Sequence, residues 1–156
     1  MSVAFRREDD DAHLEPKFEI PIPPGPNLVT ARGKKLIDEK VAALKAEIAA
    51  LPEDDKARLD PLKRDLRYWQ TRQVTAEVVP QPAGDTVEIG TTVRFRLNGK
   101  ERTFGIVGDD EADPAAGLVS FSAPLARALM GAEIGEVLEF GGREDAIEVV
   151  EIVPTA

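Results

Sequence analysis

Two apolar stripes at heptad spacing occupy the first half of the 156-residue chain, and they constrain its fold more than any other feature. The first consists of Ile37, Val41, Leu44, Ile48 and Leu51, and the second of Leu59, Leu62, Leu66, Trp69, Gln73 and Ala76. The spacing in each stripe alternates between three and four residues, as in the seam of a coiled coil. Two such stripes in succession predict an antiparallel coiled-coil hairpin over residues 27–79.

The ends of the two predicted helices carry local signals. Thr30 is a suitable N-cap for the first helix, which over residues 30–51 would be roughly 33 Å long. Pro52 cannot continue that helix, and the acidic side chains of residues 53–55 favour the start of the second. Asp60 and Pro61 form an equally good cap and first turn, so the tip is either residues 52–55 or the longer stretch 52–60.

A period-two pattern replaces the heptad pattern after residue 80. It predicts strands at residues 93–97 and 102–107, joined by a type I′ turn at Asn98 and Gly99. After a polar loop over 108–117 and a strand at 118–121, Ser122 is predicted to cap a helix over 124–130 that Gly131 closes. Strands at 137–140 and 147–152 complete an antiparallel α+β domain over residues 80–156.

Residues 1–26 have a different composition. A run of four acids from Glu8 to Asp11 precedes five prolines, which predicts an extended, largely disordered arm. The alternation of Phe18, Ile20 and Ile22 leaves a second interpretation, in which part of the arm packs as an edge segment on a neighbouring surface. His13 is assigned no role.

Composition excludes several classes of function. The chain has no cysteine and one histidine, which excludes disulfides, thiolate zinc sites, cysteine nucleophiles and multi-histidine metal centres. A net charge of −9 argues against duplex nucleic acid as the main partner and favours docking on a basic protein surface. With no signal peptide and no apolar run of membrane-spanning length, we expect a cytoplasmic protein that does not cross a membrane.

Two stretches of the second half carry a family resemblance. One is the acidic run Val107-Gly108-Asp109-Asp110-Glu111-Ala112-Asp113, and the other is Ser122-Ala123-Pro124-Leu125-Ala126-Arg127-Ala128-Leu129-Met130-Gly131, followed by Gly135-Glu136-Val137. In this order they resemble the C-terminal domain of the GreA/GreB transcription elongation factors, over about residues 87–152. The combination is specific to that family, although each fragment alone would be weak evidence for the resemblance.

The resemblance implies a fold and a partner. In that family the C-terminal domain is FKBP-like and binds the rim of the secondary channel of bacterial RNA polymerase, while the coiled-coil hairpin enters the channel. The polymerase-binding residues it implies here are Asp109, Asp110, Glu111, Asp113, Ser122, Pro124 and Arg127. We therefore expect a monomer that regulates transcription elongation, binds RNA polymerase and contacts nascent RNA or DNA at most indirectly.

The resemblance also implies a role for the hairpin tip. The family's tip presents an acidic pair that helps to hold Mg²⁺ at the polymerase active centre and promotes cleavage of backtracked RNA. The candidates here are Glu53, Asp54 and Asp55, which would bind Mg²⁺ only jointly with polymerase, because an added carboxylate stabilises a weakly held second ion. The chain would have no catalytic activity of its own.

This sequence departs from the family at the hairpin. The interval between Arg32-Gly33 and Val78-Val79 is shorter than in GreA, and the usual Gly-Asp-Leu-x-Glu-Asn tip is missing. A loss of about ten residues per arm removes roughly 15 Å of reach. The alternative function is therefore a short-hairpin polymerase-binding regulator or inhibitor without cleavage activity, similar to the regulator of nucleoside diphosphate kinase.

Simpler interpretations remain open for the same residues. The tip acids could serve only to start a helix, and the 109–113 acids could form a solvated loop. The basic residues of the second helix could face nucleic acid, an acidic channel wall or solvent: Lys56, Arg58, Lys63, Arg64, Arg67 and Arg72. A peptidyl-prolyl isomerase and a module binding some other protein through the hairpin are the remaining functional alternatives.

Overall fold

The computed structural model describes residues 19–155, and these divide into two compact units. One unit contains residues 19–24 and 38–74, and the other contains residues 25–37 and 75–155. The start of the first long helix and the segment after the second therefore belong with the C-terminal unit. Residues 1–18 of the predicted arm lie outside the described part of the chain.

Two long helices form the hairpin, α1 at Ala31–Ala49 and α2 at Lys56–Thr75. The Gln73 amide donates to Asp38 over 2.9 Å, and the Lys40 ammonium lies 5.7 Å from the centre of the Trp69 ring. The later residue of α1, Lys40, thus contacts the earlier residue of α2, Trp69. The two helices are therefore antiparallel, which confirms the predicted hairpin. Helix α1 ends two residues before the predicted boundary, and its 19 residues give a length of about 28 Å.

Side-chain caps fix both helix starts. The Thr30 hydroxyl accepts a 3.0 Å hydrogen bond from the Gly33 N–H, which confirms the predicted cap of α1. Asp55 accepts the Arg58 N–H over 3.4 Å at the start of α2. The alternative start at Asp60 and Pro61 is wrong, because Pro61 lies inside α2.

The apolar stripes face inward to different degrees. Ile37, Val41 and Leu59 are buried, and the other stripe members are half-buried. Partial burial is expected where only two helices share a seam. Arg72 is also buried, at 2% relative exposure, although arginine side chains are mostly exposed to solvent.

The second unit contains two sheets and a short helix. A two-stranded parallel sheet pairs β1 (Leu28–Val29) with β2 (Glu77–Val78). The larger sheet has five strands: β3 (Thr91–Leu97), β4 (Lys100–Val107), β5 (Leu118–Ser120), β6 (Val137–Phe140) and β7 (Arg143–Pro154). Their order across the sheet is β5-β4-β3-β7-β6, and helix α3 spans Pro124–Leu129.

The α+β class is confirmed, but the sheet is mixed. Strand β5 pairs parallel to β4, with Gly105 opposite Leu118, whereas the other neighbours are antiparallel. The prediction of a wholly antiparallel sheet was wrong for this pair because period two identifies a strand without giving its direction. Residues 108–117 connect β4 to β5 through two 3₁₀ turns, Asp109–Glu111 and Pro114–Ala116.

The β3–β4 turn and the core follow from local sequence. Asn98 and Gly99 have φ angles of 52° and 87°, as a type I′ turn requires, so this prediction is confirmed. The alternating residues of β3 place Val93 and Phe95 in the core with no exposed surface. Phe95 packs against Phe104 of β4 with ring centres 5.1 Å apart. No helix within residues 19–155 is both long and apolar enough to cross a membrane.

Pro61 generates a prediction about hairpin stability. Proline has no N–H to donate to the Ala57 carbonyl, and an interior proline costs a helix up to about 3 kcal/mol. We expect Pro61→Ala to raise the free energy of unfolding by about 1–3 kcal/mol, measured by far-UV circular dichroism in urea. Pro124→Ala is the control, because proline is tolerated in the first turn of α3. A Pro61→Ala variant of equal or lower stability would contradict this expectation.

Candidate functional site

The acidic segment predicted to bind a partner forms a 3₁₀ turn, Asp109–Glu111, whose side chains point in different directions. Asp109 and Asp110 are half-buried at the surface, while the side chain of Glu111 is 2% exposed. We call residues 108–111 the acidic turn. Its last carboxylate is unavailable to a partner, so Glu111 does not belong with the surface residues that the resemblance implied.

Glu111 binds the start of helix α1. The Thr30 hydroxyl lies 2.7 and 2.9 Å from its two carboxylate oxygens, and the Thr30 N–H donates over 3.3 Å. Arg32 adds a 3.3 Å ion pair. Because the Thr30 hydroxyl also accepts from Gly33, the cap of α1 and the buried carboxylate form one hydrogen-bonded group.

Two glycines allow this close approach. A methyl group on Gly33 would lie 2.6 Å from Cδ and 2.9 Å from Cγ of Glu111. A methyl group on Gly108 would lie 2.5 Å from the Leu28 carbonyl oxygen. Each glycine lies on one of the two facing segments, and a side chain would displace the Glu111 carboxylate at Gly33 and backbone at Gly108.

A second cluster joins the acidic turn to the segment before α3. The hydroxyls of Ser120 and Ser122 both donate to Asp109, with the Ser122 distance 2.8 Å, and the two hydroxyls are 2.7 Å apart. The predicted capping role of Ser122 is wrong, since Ala123 is the N-cap of α3 and makes no side-chain cap bond. Ser122 lies one residue before that N-cap, and its hydroxyl donates a charge-assisted hydrogen bond to the Asp109 carboxylate.

The other predicted surface residues lie nearby in the chain. Pro124 is exposed at the first position of α3, and Arg127 is exposed one turn later. Asp113 is exposed, and its backbone exchanges two hydrogen bonds with Leu118. Within residues 19–155 the structure thus joins Asp109 directly to Ser122, and it shows no side-chain bond from Asp113 or Arg127 to that pair.

The hairpin tip divides its three acids between two roles. Asp55 caps α2 and binds the Arg58 guanidinium over 2.6 Å, whereas Glu53 and Asp54 are exposed. Carboxylate oxygens suit Mg²⁺, so the exposed Glu53 and Asp54 stay candidate ligands of a shared ion, whereas Asp55 is already engaged. In the described part of the chain, no group of three or more carboxylate or histidine side chains is placed to hold a metal ion.

Sequence reasoning missed a contact between the arm and the hairpin. Arg67 donates two 2.8 Å hydrogen bonds to the Glu19 carboxylate, a bidentate pair on the surface of α2. The hydrogen bonds from Arg67 hold the pKa of the Glu19 carboxyl below its ordinary value. An acid in the arm and a basic helix face could have suggested the pairing, but no spacing rule selects Arg67 from the other basic residues.

The chain matches proteins of known class. The family model described as transcription elongation factor, GreA/GreB, C-term matches residues 81–154. Transcription elongation factor GreA of Bacillus cereus (strain ATCC 14579) is 31% identical over 134 residues, covering 80% of this chain and 85% of that relative. This chain belongs to the GreA/GreB family of transcription elongation factors.

Other matches are more partial. GreA of Rhizobium etli (strain CIAT 652) is 39% identical over 83 residues, so the match spans 49% of this chain and about half of that relative (52%). Among solved structures, a GreA/GreB factor from Nitrosomonas europaea is 21% identical, covering 83% of this chain and 98% of that one, with a TM-score of 0.39. GreA factor homolog 1 of Thermus thermophilus is 16% identical, covering 83% and 99%, with a TM-score of 0.37.

The tip acids should differ in their effect on stability. We expect Asp55→Ala to lower the free energy of unfolding by about 1 kcal/mol, because α2 loses its cap. Asp54→Ala, at an exposed neighbouring position, is the matched control and should change it by less than about 0.5 kcal/mol. Urea unfolding of the two variants tests the assignment, and equal losses from both would contradict it.

The Glu19–Arg67 pair should be visible in a pH titration. Because the pKa of Glu19 is lowered in the folded state, its contribution to stability is present above the ordinary pKa of 4.5. That contribution is lost as the pH falls through the lowered folded value. Nuclear magnetic resonance titration of the Glu19 carboxyl should give a pKa below 4.5 that rises in Arg67→Gln. Lys63→Gln is the control on the same helix. A Glu19 pKa that is the same in Arg67→Gln as in the wild type would contradict the ion pair.

Proposed function

We propose that this chain binds RNA polymerase in the bacterial cytoplasm as a monomer and regulates transcription elongation. Membership of the GreA/GreB family is the observation that carries the proposal. The net charge of −9 supports docking on a basic surface, since complementary charge steers association and fixes orientation.

The docking surface consists of Asp109, Asp110, Asp113, Ser122, Pro124 and Arg127. Hydrogen bonds from Ser120 and Ser122 fix the Asp109 carboxylate at the surface, so a partner meets an oriented acid. A preorganised group loses less conformational entropy on binding than a mobile one. Glu111 is excluded from this surface because its carboxylate is buried against α1.

The hairpin favours occupancy of the secondary channel without cleavage. Helices α1 and α2 have 19 and 20 residues, or about 28 and 30 Å. Asp55, one of the three tip acids, already serves as a helix cap and as the partner of Arg58. A metal ion would have to compete with both contacts for this carboxylate, whereas blocking a channel requires only that the helices fit.

Assistance of RNA cleavage is the second candidate, and the exposed carboxylates of Glu53 and Asp54 favour it. These two side chains would hold Mg²⁺ together with ligands from polymerase. A bound Mg²⁺ supplies charge stabilisation and an activated water for phosphodiester hydrolysis. This chain's part would be to orient two oxygen ligands at the end of a rigid hairpin.

Polymerase binding tests the docking surface. We expect Asp109→Asn/Asp110→Asn to weaken binding to purified bacterial RNA polymerase by roughly tenfold or more, because charge-assisted hydrogen bonds are lost. Glu144→Gln is the matched control, since Glu144 is an exposed acid outside the docking surface. Biolayer interferometry at fixed salt gives both affinities. Wild-type protein that does not bind would overturn the proposed function, and equal affinities would overturn the docking surface.

RNA cleavage by backtracked polymerase complexes separates the two candidates. Bound wild-type protein that leaves the cleavage rate at or below that of polymerase alone supports a regulator that occupies the channel. Stimulation that disappears in Glu53→Ala/Asp54→Ala, with binding retained, would establish the cleavage mechanism instead.

A further inference from the structure

The acidic turn has two faces, and each contacts a different part of the second unit. Asp109 and Asp110 lie on the face that belongs to the docking surface. Glu111 lies on the other face, where its carboxylate binds Thr30 and Arg32. Only one residue separates the Asp109 and Glu111 positions, so a displacement of one face displaces the other.

The face of the acidic turn that carries Glu111 is hydrogen-bonded to the cap of α1. The carboxylate receives the Thr30 N–H directly, and the Thr30 hydroxyl it binds in turn receives the Gly33 N–H. A negative charge at a helix N-terminus is also favoured by the helix dipole. The backbone bond from the Lys34 N–H to the Thr30 carbonyl, at 2.9 Å, continues this turn.

The contact tolerates little adjustment. Gly33 has no side chain where the Glu111 carboxylate lies, and Gly108 has none where the Leu28 carbonyl lies. Backbone therefore meets the Glu111 side chain at Gly33 and meets backbone at Gly108, with no side-chain volume between them. A tightly packed contact of this kind has few alternative arrangements, so a shift on one side is transmitted to the other.

We propose that Glu111 is a positioning residue that couples the docking surface to the start of α1. A partner that holds Asp109 and Asp110 fixes the acidic turn, and through Glu111 it also fixes residues 30–34. This inference rests on the proposed function, because it takes RNA polymerase as that partner. It assigns Glu111 no direct contact with polymerase.

Amide hydrogen exchange tests the contact in the free protein. Removal of the carboxylate in Glu111→Ala should speed exchange at Gly33 and Lys34 by about 3- to 30-fold, the range expected for loss of a helix N-terminal interaction. Glu111→Gln, which keeps an acceptor for the Thr30 hydroxyl but not the charge, should give an intermediate rate. The control Glu144→Gln should match wild type, and unchanged exchange in Glu111→Ala would overturn the assignment.

Gly33→Ala disturbs the same contact from the other side while leaving the acidic turn intact in sequence. Its methyl group displaces the carboxylate, so we expect faster exchange at Lys34 in the wild-type background. In the Glu111→Ala background the same change meets no carboxylate, and alanine is the better helix former. Exchange should then be equal or slower, and an equal acceleration in both backgrounds would contradict the coupling.

The coupling itself is tested by exchange in the presence of RNA polymerase. Wild-type protein should gain at least threefold protection at Gly33 and Lys34 on binding. Glu111→Ala should bind, through Asp109 and Asp110, without that gain. An equal gain in both proteins would overturn the coupling and leave the proposed function intact, whereas absence of wild-type binding would overturn both.

Discussion

The buried carboxylate of Glu111 is hydrogen-bonded to the residue that caps helix α1. A buried charge is costly unless it is paired and hydrogen-bonded, and here the compensation comes from a hydroxyl, a backbone N–H, a guanidinium and the positive end of a 19-residue helix. Removing any one of these groups would leave part of that cost uncompensated. The contact thus favours one position for the start of α1 and one conformation of the acidic turn together.

Local signals in the sequence were sufficient where neighbouring residues decide the structure. Thr30 caps α1 because its hydroxyl accepts an N–H three residues later. Asn98 and Gly99 form the type I′ turn because both residues adopt positive φ. The heptad stripes likewise identified both long helices. Each of these outcomes depends on a few adjacent residues, so the sequence contains the whole interaction.

Elsewhere the outcome depends on residues far apart in the chain, and prediction was incomplete. The run from Asp109 to Asp113 reads as one acidic loop, yet Glu111 is buried because residues 30–33, about eighty positions earlier, supply its donors. Ser122 was predicted to cap α3, but the N-cap is Ala123, and the Ser122 hydroxyl donates to Asp109, 13 positions earlier in the chain. The parallel β4–β5 pair and the buried Arg72 also depend on tertiary contacts that periodicity does not encode.

The tip shows how a structural role limits a chemical one. Asp55 could be released for a metal ion only if α2 lost its cap and Arg58 lost its partner. A metal site here would therefore depend on Glu53 and Asp54 alone, and two monodentate carboxylates hold Mg²⁺ only when other groups complete its octahedron. In the proposed cleavage mechanism those other groups would be water and ligands from polymerase, which makes the reach of the hairpin decisive. Within the proposed function, helices of about 28–30 Å would still fill a channel if they stopped short of its active centre, and this difference in required precision favours occupancy over cleavage.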